Sequence, residues 1–139
     1  MIKKLLPILL LSVFFISCGK TNDNAVPYVQ VNFSAPLSDP RLSRLSAIGG
    51  AVTIEGYGVS GLIIYRSPTN GYVAYDRCSS YQPQNRCAIT LDNPTLTATD
   101  PCSGSKFSLN DGSPVKAPAT RYLRAYSVNV SINQIYVTN

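Results

Sequence analysis

Three cysteines, Cys78, Cys87 and Cys102, and the serines and aspartates around them are the residues beyond the N-terminal segment whose types could do chemistry. The chain contains no histidine, which removes the commonest general base and the commonest nitrogen ligand. Ser79, Ser80 and Ser103 offer hydroxyls, but the only nearby lysine in sequence is Lys106, so no activating base for a serine nucleophile can be named. The cysteines form no short Cys-x-x-Cys pair, and Asp76 or Asp100 would be needed to complete four donors. Structural zinc sites use Cys and His at two short spacings, so a metal centre is not expected here. A disulfide is the better reading, because closing a loop of about 15 residues stabilises a small exported domain by about 3 kcal/mol. Sequence spacing leaves its connectivity among Cys78, Cys87 and Cys102 open.

Export is read from the N-terminus. Lys3 and Lys4 form a basic patch before an apolar run, Leu5 to Ile16, that is too short to span a bilayer and suits a signal-peptide core. The run ends in Phe15-Ile16-Ser17-Cys18, which looks like the lipobox of bacterial lipoproteins, with Phe15 where Leu is commoner. The organisation expected is a signal peptide over 1–17, a lipidated Cys18 with a small polar tether over 18–25, and one domain over 26–139. Several acyl chains on Cys18, at about 0.8 kcal/mol per buried methylene, make attachment lasting. The expected location is the Gram-negative envelope, anchored to the outer membrane on its periplasmic or surface side, with the membrane and an envelope protein as partners.

Composition sets the class of the domain. Of 12 basic residues two lie in the N-terminal segment, leaving ten against seven acidic, a net charge of about +3. The arginines are scattered and form no basic stripe, so nucleic acid is not an expected partner. Nine Tyr, ten Pro and nine Gly, with frequent Val, Ile and Thr, predict short strands and turns. Strands are read at Tyr28–Phe33, Ala51–Glu55, Leu62–Arg66, Tyr72–Asp76, Ala88–Leu91, Thr95–Ala98, Phe107–Leu109, Leu123–Val130 and Ile132–Val137. One helical turn is read near Leu42 and Leu45. The continuous run at Leu62–Tyr65 predicts burial on both faces, and Asn70-Gly71 predicts a hairpin turn. Asn110 to Pro114 is read as a turn. Gly56-Tyr57-Gly58 with Gly61 faintly suggests a phosphate loop, but no helix follows it. Most tyrosines are strand material, and Tyr81 at the tip of the first cysteine loop is expected to pack. No small-molecule substrate is identifiable.

Several of these stretches together resemble a Rieske domain: Val73-Ala74-Tyr75-Asp76-Arg77-Cys78, then Asp100-Pro101-Cys102-Ser103-Gly104-Ser105-Lys106-Phe107, then Asp111-Gly112-Ser113-Pro114, Ala117-Pro118-Ala119 and Leu123 to Val128. The resemblance implies an all-β fold of stacked antiparallel sheets, a small sandwich or barrel with two cysteine-bearing loops. It matches the four cluster ligands to Cys78, Ser80, Asp100 and Ser103. A Rieske [2Fe–2S] centre uses two thiolates and two imidazoles, so three of these four positions depart from the family pattern. The expectation is therefore no cofactor and no enzymatic activity, with a [2Fe–2S] electron-transfer protein of divergent ligands as the alternative. The resemblance also implies a brace between Cys87 and Cys102 that would leave Cys78 over, while a Cys78–Cys102 pair remains open. It places Ser105 where the family serine faces the cluster; without one, a bond to loop backbone is expected. Pro118, in the segment that shields the cluster, is expected to stiffen a turn.

Overall fold

A computed structural model describes residues 26–139 of the chain, so Cys18, the signal segment and the tether lie outside the described residues. Ten strands run in chain order: β1 Asn32–Pro36, β2 Ala51–Ile54, β3 Leu62–Ser67, β4 Gly71–Asp76, β5 Thr90–Leu91, β6 Thr97–Thr99, β7 Lys106–Ser108, β8 Pro114–Lys116, β9 Ala125–Ser131 and β10 Gln134–Thr138. They form two antiparallel sheets, one of six strands in the order β1-β10-β9-β4-β3-β2 and one of four in the order β5-β6-β7-β8. This is the all-β, stacked-sheet architecture expected.

The larger sheet folds back on itself. Its halves are joined where β4 meets β9 over only two registered pairs, Ala74↔Tyr126 and Tyr75↔Ala125, while β9 continues to Ser131 against β10 alone. The inward residues of both halves share one core: Phe33 and Ala35 from β1 and Ile135 and Val137 from β10 meet Val52, Leu62, Ile64 and Ala74. A second core lies on the other face of β3, where Ile63, Tyr65 and Tyr75 meet Ile89, Ala98, Phe107 and Leu109 of the smaller sheet. β3 therefore sends alternate side chains into two different cores, which is why its sequence shows an apolar run and no alternation.

The helical turn read near Leu42 and Leu45 is a 3-10 helix, Pro40–Ser46, with both leucines buried in the first core. Asp39 accepts the Arg41 backbone N–H at 2.8 Å at its start. At its end Arg66 donates to the carbonyls of Leu45 and Ser46 at 3.1 and 2.6 Å, so carbonyls that the short helix leaves unpaired are satisfied.

Several boundaries differ from the sequence reading. The first strand starts at Asn32 and not at Tyr28, whose exposed ring carries the Arg124 guanidinium at 6.0 Å. Of Ala88–Leu91 only Thr90–Leu91 is a strand, because Ala88 bridges Cys78 in the first cysteine loop. The strand read at Thr95–Ala98 sits at Thr97–Thr99. Pro114, read as the end of a turn, opens edge strand β8, where its missing N–H costs no ladder bond. Ile132 is in the β9–β10 turn with φ +48°, followed by Asn133 at +60°. Such a turn needs two left-handed residues, and an Ile there gives no turn signal in sequence.

Phe107 is fully buried and links the second core to β7. Phe107→Ala is expected to lower unfolding stability by about 3–5 kcal/mol, read as a lower urea midpoint with little change in the slope.

Candidate functional site

The glycine-bearing loop before β3 does bind an anion, and that anion is the chain's own Asp76. At the end of β4 the fully buried Asp76 carboxylate accepts from the backbone N–H groups of Val59 (2.6 Å), Ser60 (3.2 Å) and Cys78 (2.8 Å), and from the Tyr126 hydroxyl (2.8 Å). Gly58 has to be glycine: its φ is +63°, and a Cβ there would lie 2.3 Å from Asp76 Oδ2. Burial, then the hydrogen bond to Asp76 and that group's charge, pushes the Tyr126 phenol well above its ordinary range, so it stays a proton donor to that carboxylate. Asp76 thereby fixes the chain as it leaves the sheet and enters the first cysteine loop, residues 77–89.

The first loop meets the second, residues 100–105, at a second buried carboxylate. Asp100 is 1% exposed. Its Oδ1 accepts the Cys102 N–H at 2.8 Å, and its Oδ2 accepts the hydroxyls of Ser79 and Ser103, each at 2.7 Å. Ser79 belongs to the first loop and Ser103 to the second, so one carboxylate ties both. The order of protons beyond it follows: Ser103 has given its hydrogen to Asp100, so across the 2.8 Å contact between Ser103 and Ser105 it is Ser105 that donates. Ser105 Oγ in turn accepts the Ala119 N–H at 2.9 Å, which brings in the segment between β8 and β9. Ser80 points elsewhere and donates to the Arg121 carbonyl at 2.6 Å in that same segment.

A disulfide joins Cys87 to Cys102, with Cα atoms 6.3 Å apart, and Cys78 is the free cysteine among the described residues and is buried. The Cys78 sulfur lies 3.6 Å from the carbonyl oxygens of Ser79 and Pro83, either of which can accept its proton. Burial raises its pKa and the charge of Asp76 raises it further, so the thiol is protonated at neutral pH. Tyr81 packs against the second core, and Pro118 is exposed in the turn after β8.

Of the four positions matched to ligands, Asp100 and Ser103 are directly bonded, whereas Cys78 and Ser80 face other partners. Sequence reasoning missed Ser79 as the bond from the first loop to Asp100. Two adjacent loop serines carry no sequence signal telling which faces inward. Asp76 has no visible partner in the sequence, although a glycine loop with no following helix does fit an internal anion.

Asp100 has no cation beside it: the ion pairs among the described residues are Arg41–Asp39, Arg77–Glu55 and Lys106–Asp92. Burial alone would raise its pKa, but the hydrogen bonds from Ser103, Ser79 and the Cys102 N–H outweigh that and hold it below its ordinary 3.8. A depressed folded-state pKa means that the unfolded chain binds the proton more readily. The stabilisation is thus whole above about pH 3.8 and is lost as pH falls through the folded value. Asp100→Asn is expected to cost about 1–3 kcal/mol at pH 7. The gap from the parent chain should narrow as urea titrations are repeated at falling pH below 3.8.

No protein-family model and no curated protein matches the sequence. Solved structures do match the fold. The cyanobacterial plasma membrane Rieske protein from Synechocystis superposes with a TM-score of 0.55 at 21% identity, over 81% of this chain and 100% of that one. A chain of the complex of reduced oxygenase and oxidized ferredoxin in carbazole 1,9a-dioxygenase superposes with a TM-score of 0.50 at 21% identity, over 78% of this chain and 99% of that one. The likeness spans nearly all of each neighbour and is one of architecture: this chain has a Rieske-like fold.

Proposed function

We propose that this is a lipid-anchored envelope protein whose Rieske-like domain acts as a non-catalytic binding or assembly module, its two tip loops held by hydrogen bonds and a disulfide in place of an iron–sulfur cluster. The observation that carries the reading is the Asp100 carboxylate, which accepts from Ser79 of one loop and Ser103 of the other. A [2Fe–2S] centre of this type takes two thiolates on one iron and two imidazoles on the other. The four matched positions offer instead a protonated thiol against two carbonyls, two hydroxyls already given to Arg121 and Asp100, and a carboxylate with three donors on it. That donor set does not fit the cluster. A module of this kind needs a firm surface, and the clasp supplies one.

The anchor rests on the sequence of residues 1–18 and on Cys18. Chemical analysis of anaerobically isolated protein is expected to find neither stoichiometric iron nor acid-labile sulfide, and no visible absorption bands. Iron and sulfide in a two-to-two ratio with the protein would establish the electron-transfer alternative. Radiolabelled palmitate is expected to enter the chain in a Gram-negative host and to be lost in Cys18→Ala; equal labelling of both would remove the anchor from the account.

A further inference from the structure

The Cys87 and Cys102 sulfurs and a carboxylate oxygen of Asp100 all lie within 4.8 Å of one another. We infer that, once a dithiol has reduced this disulfide, the two sulfurs and Asp100 form a divalent-cation site suited to Zn2+, distinct from the four positions matched to cluster ligands. It rests on the reading above only in that the tip is free of a cluster.

The carboxylate is already held by hydrogen bonds from Cys102 N–H, Ser79 and Ser103. Those donors are the outer contacts that orient a metal-binding carboxylate and fix its direction before an ion arrives. Among the described residues no ion pair reaches the buried Asp100, and a buried anion favours a positive charge beside it. Tetrahedral zinc, with Zn–S near 2.3 Å and Zn–O near 2.1 Å, spaces its donor atoms about 3.6–3.8 Å apart. Donors confined within 4.8 Å reach that spacing by side-chain rotation. Water fills the fourth position.

The steps balance. The reductant's two thiols become its disulfide as the protein disulfide becomes two thiols. Binding Zn2+ as a bis-thiolate then releases two protons to solvent. Cys102 is exposed, so a small dithiol can reach the bond. Cys78 is not one of the three convergent donors, which makes it the internal control.

The test uses the full mature chain with Cys18→Ser, reduced with an excess of a phosphine that is removed before metal is added. Co2+ is expected to bind one to one, with thiolate-to-cobalt charge-transfer absorption in the near ultraviolet that added Zn2+ abolishes. Unreduced protein and Cys87→Ser should give no such band, Cys78→Ser should give it in full, and Asp100→Asn should weaken Zn2+ binding by about tenfold or more. If reduction loosens the fold, Co2+ is expected to restore the circular dichroism of the oxidised protein. Reduced protein that binds no Co2+, whether folded or not, would overturn the inference, as would equal affinity in Asp100→Asn. Iron and sulfide in the untreated protein would instead sink the cluster-free reading, so the two failures are separable.

Discussion

The end of the molecule that carries all three cysteines among the described residues depends on one buried carboxylate shared between two loops. Tyr81 and Ile89 pack the first loop onto the second core, but most of the remaining loop residues are small, polar or proline, and backbone groups left unpaired there would cost more than the loops gain by approaching. Asp100 resolves this by accepting from Ser79, Ser103 and the Cys102 N–H at once. Charge-assisted bonds of this kind are stronger than neutral ones. They also make the loop geometry specific, because donors from both loops converge on one carboxylate. The Cys87–Cys102 disulfide acts on the same pair of loops through the unfolded state, by limiting how far apart they can wander.

The sheets exist to present those loops together. β4 ends at Asp76, whose carboxylate is gripped by the loop before β3 and by Tyr126 of β9. That grip sits beside the narrow two-pair junction at which the larger sheet folds over. The smaller sheet supplies the second loop between β6 and β7, and it is held against β3 by Ala98 and Phe107, with Ile89 and Leu109 beside its strands. Two carboxylates thus do related work: Asp76 sets where the first loop leaves the sheet, and Asp100 sets where it meets the second. Among the described residues neither has an ion-pair partner, and both accept from N–H and O–H donors. Function follows the site and not the architecture.

The parts of the fold that could be read from sequence are those where a local pattern and the tertiary environment agree. The apolar run Leu62–Tyr65 announces a strand with a core on each face, Leu42 and Leu45 announce one buried turn, and Asn70-Gly71 marks the hairpin. The edges of elements were less legible. Tyr28 has strand-like composition but lies outside β1, exposed beneath Arg124, and Pro114 looks like a turn residue yet begins an edge strand. Ile132 is a β-branched residue in a left-handed turn, a placement that no local propensity favours. At the site, the resemblance located the second loop and its aspartate. It could not show that Ser79 rather than Ser80 turns inward, because that depends on the conformation in which the loop leaves Asp76, whose carboxylate accepts the Cys78 N–H.

The claim that a shared carboxylate fastens the two loops is tested most directly by a double-mutant cycle between Ser79 and Asp100. Unfolding free energies are compared for the parent chain, Ser79→Ala, Asp100→Ala and the double variant, with the disulfide intact. A coupling of about 1.5–3 kcal/mol at pH 7, as for a hydrogen bond to a charged group, is the result this account requires. Additive effects, with no coupling beyond the error of the four measurements, would contradict it.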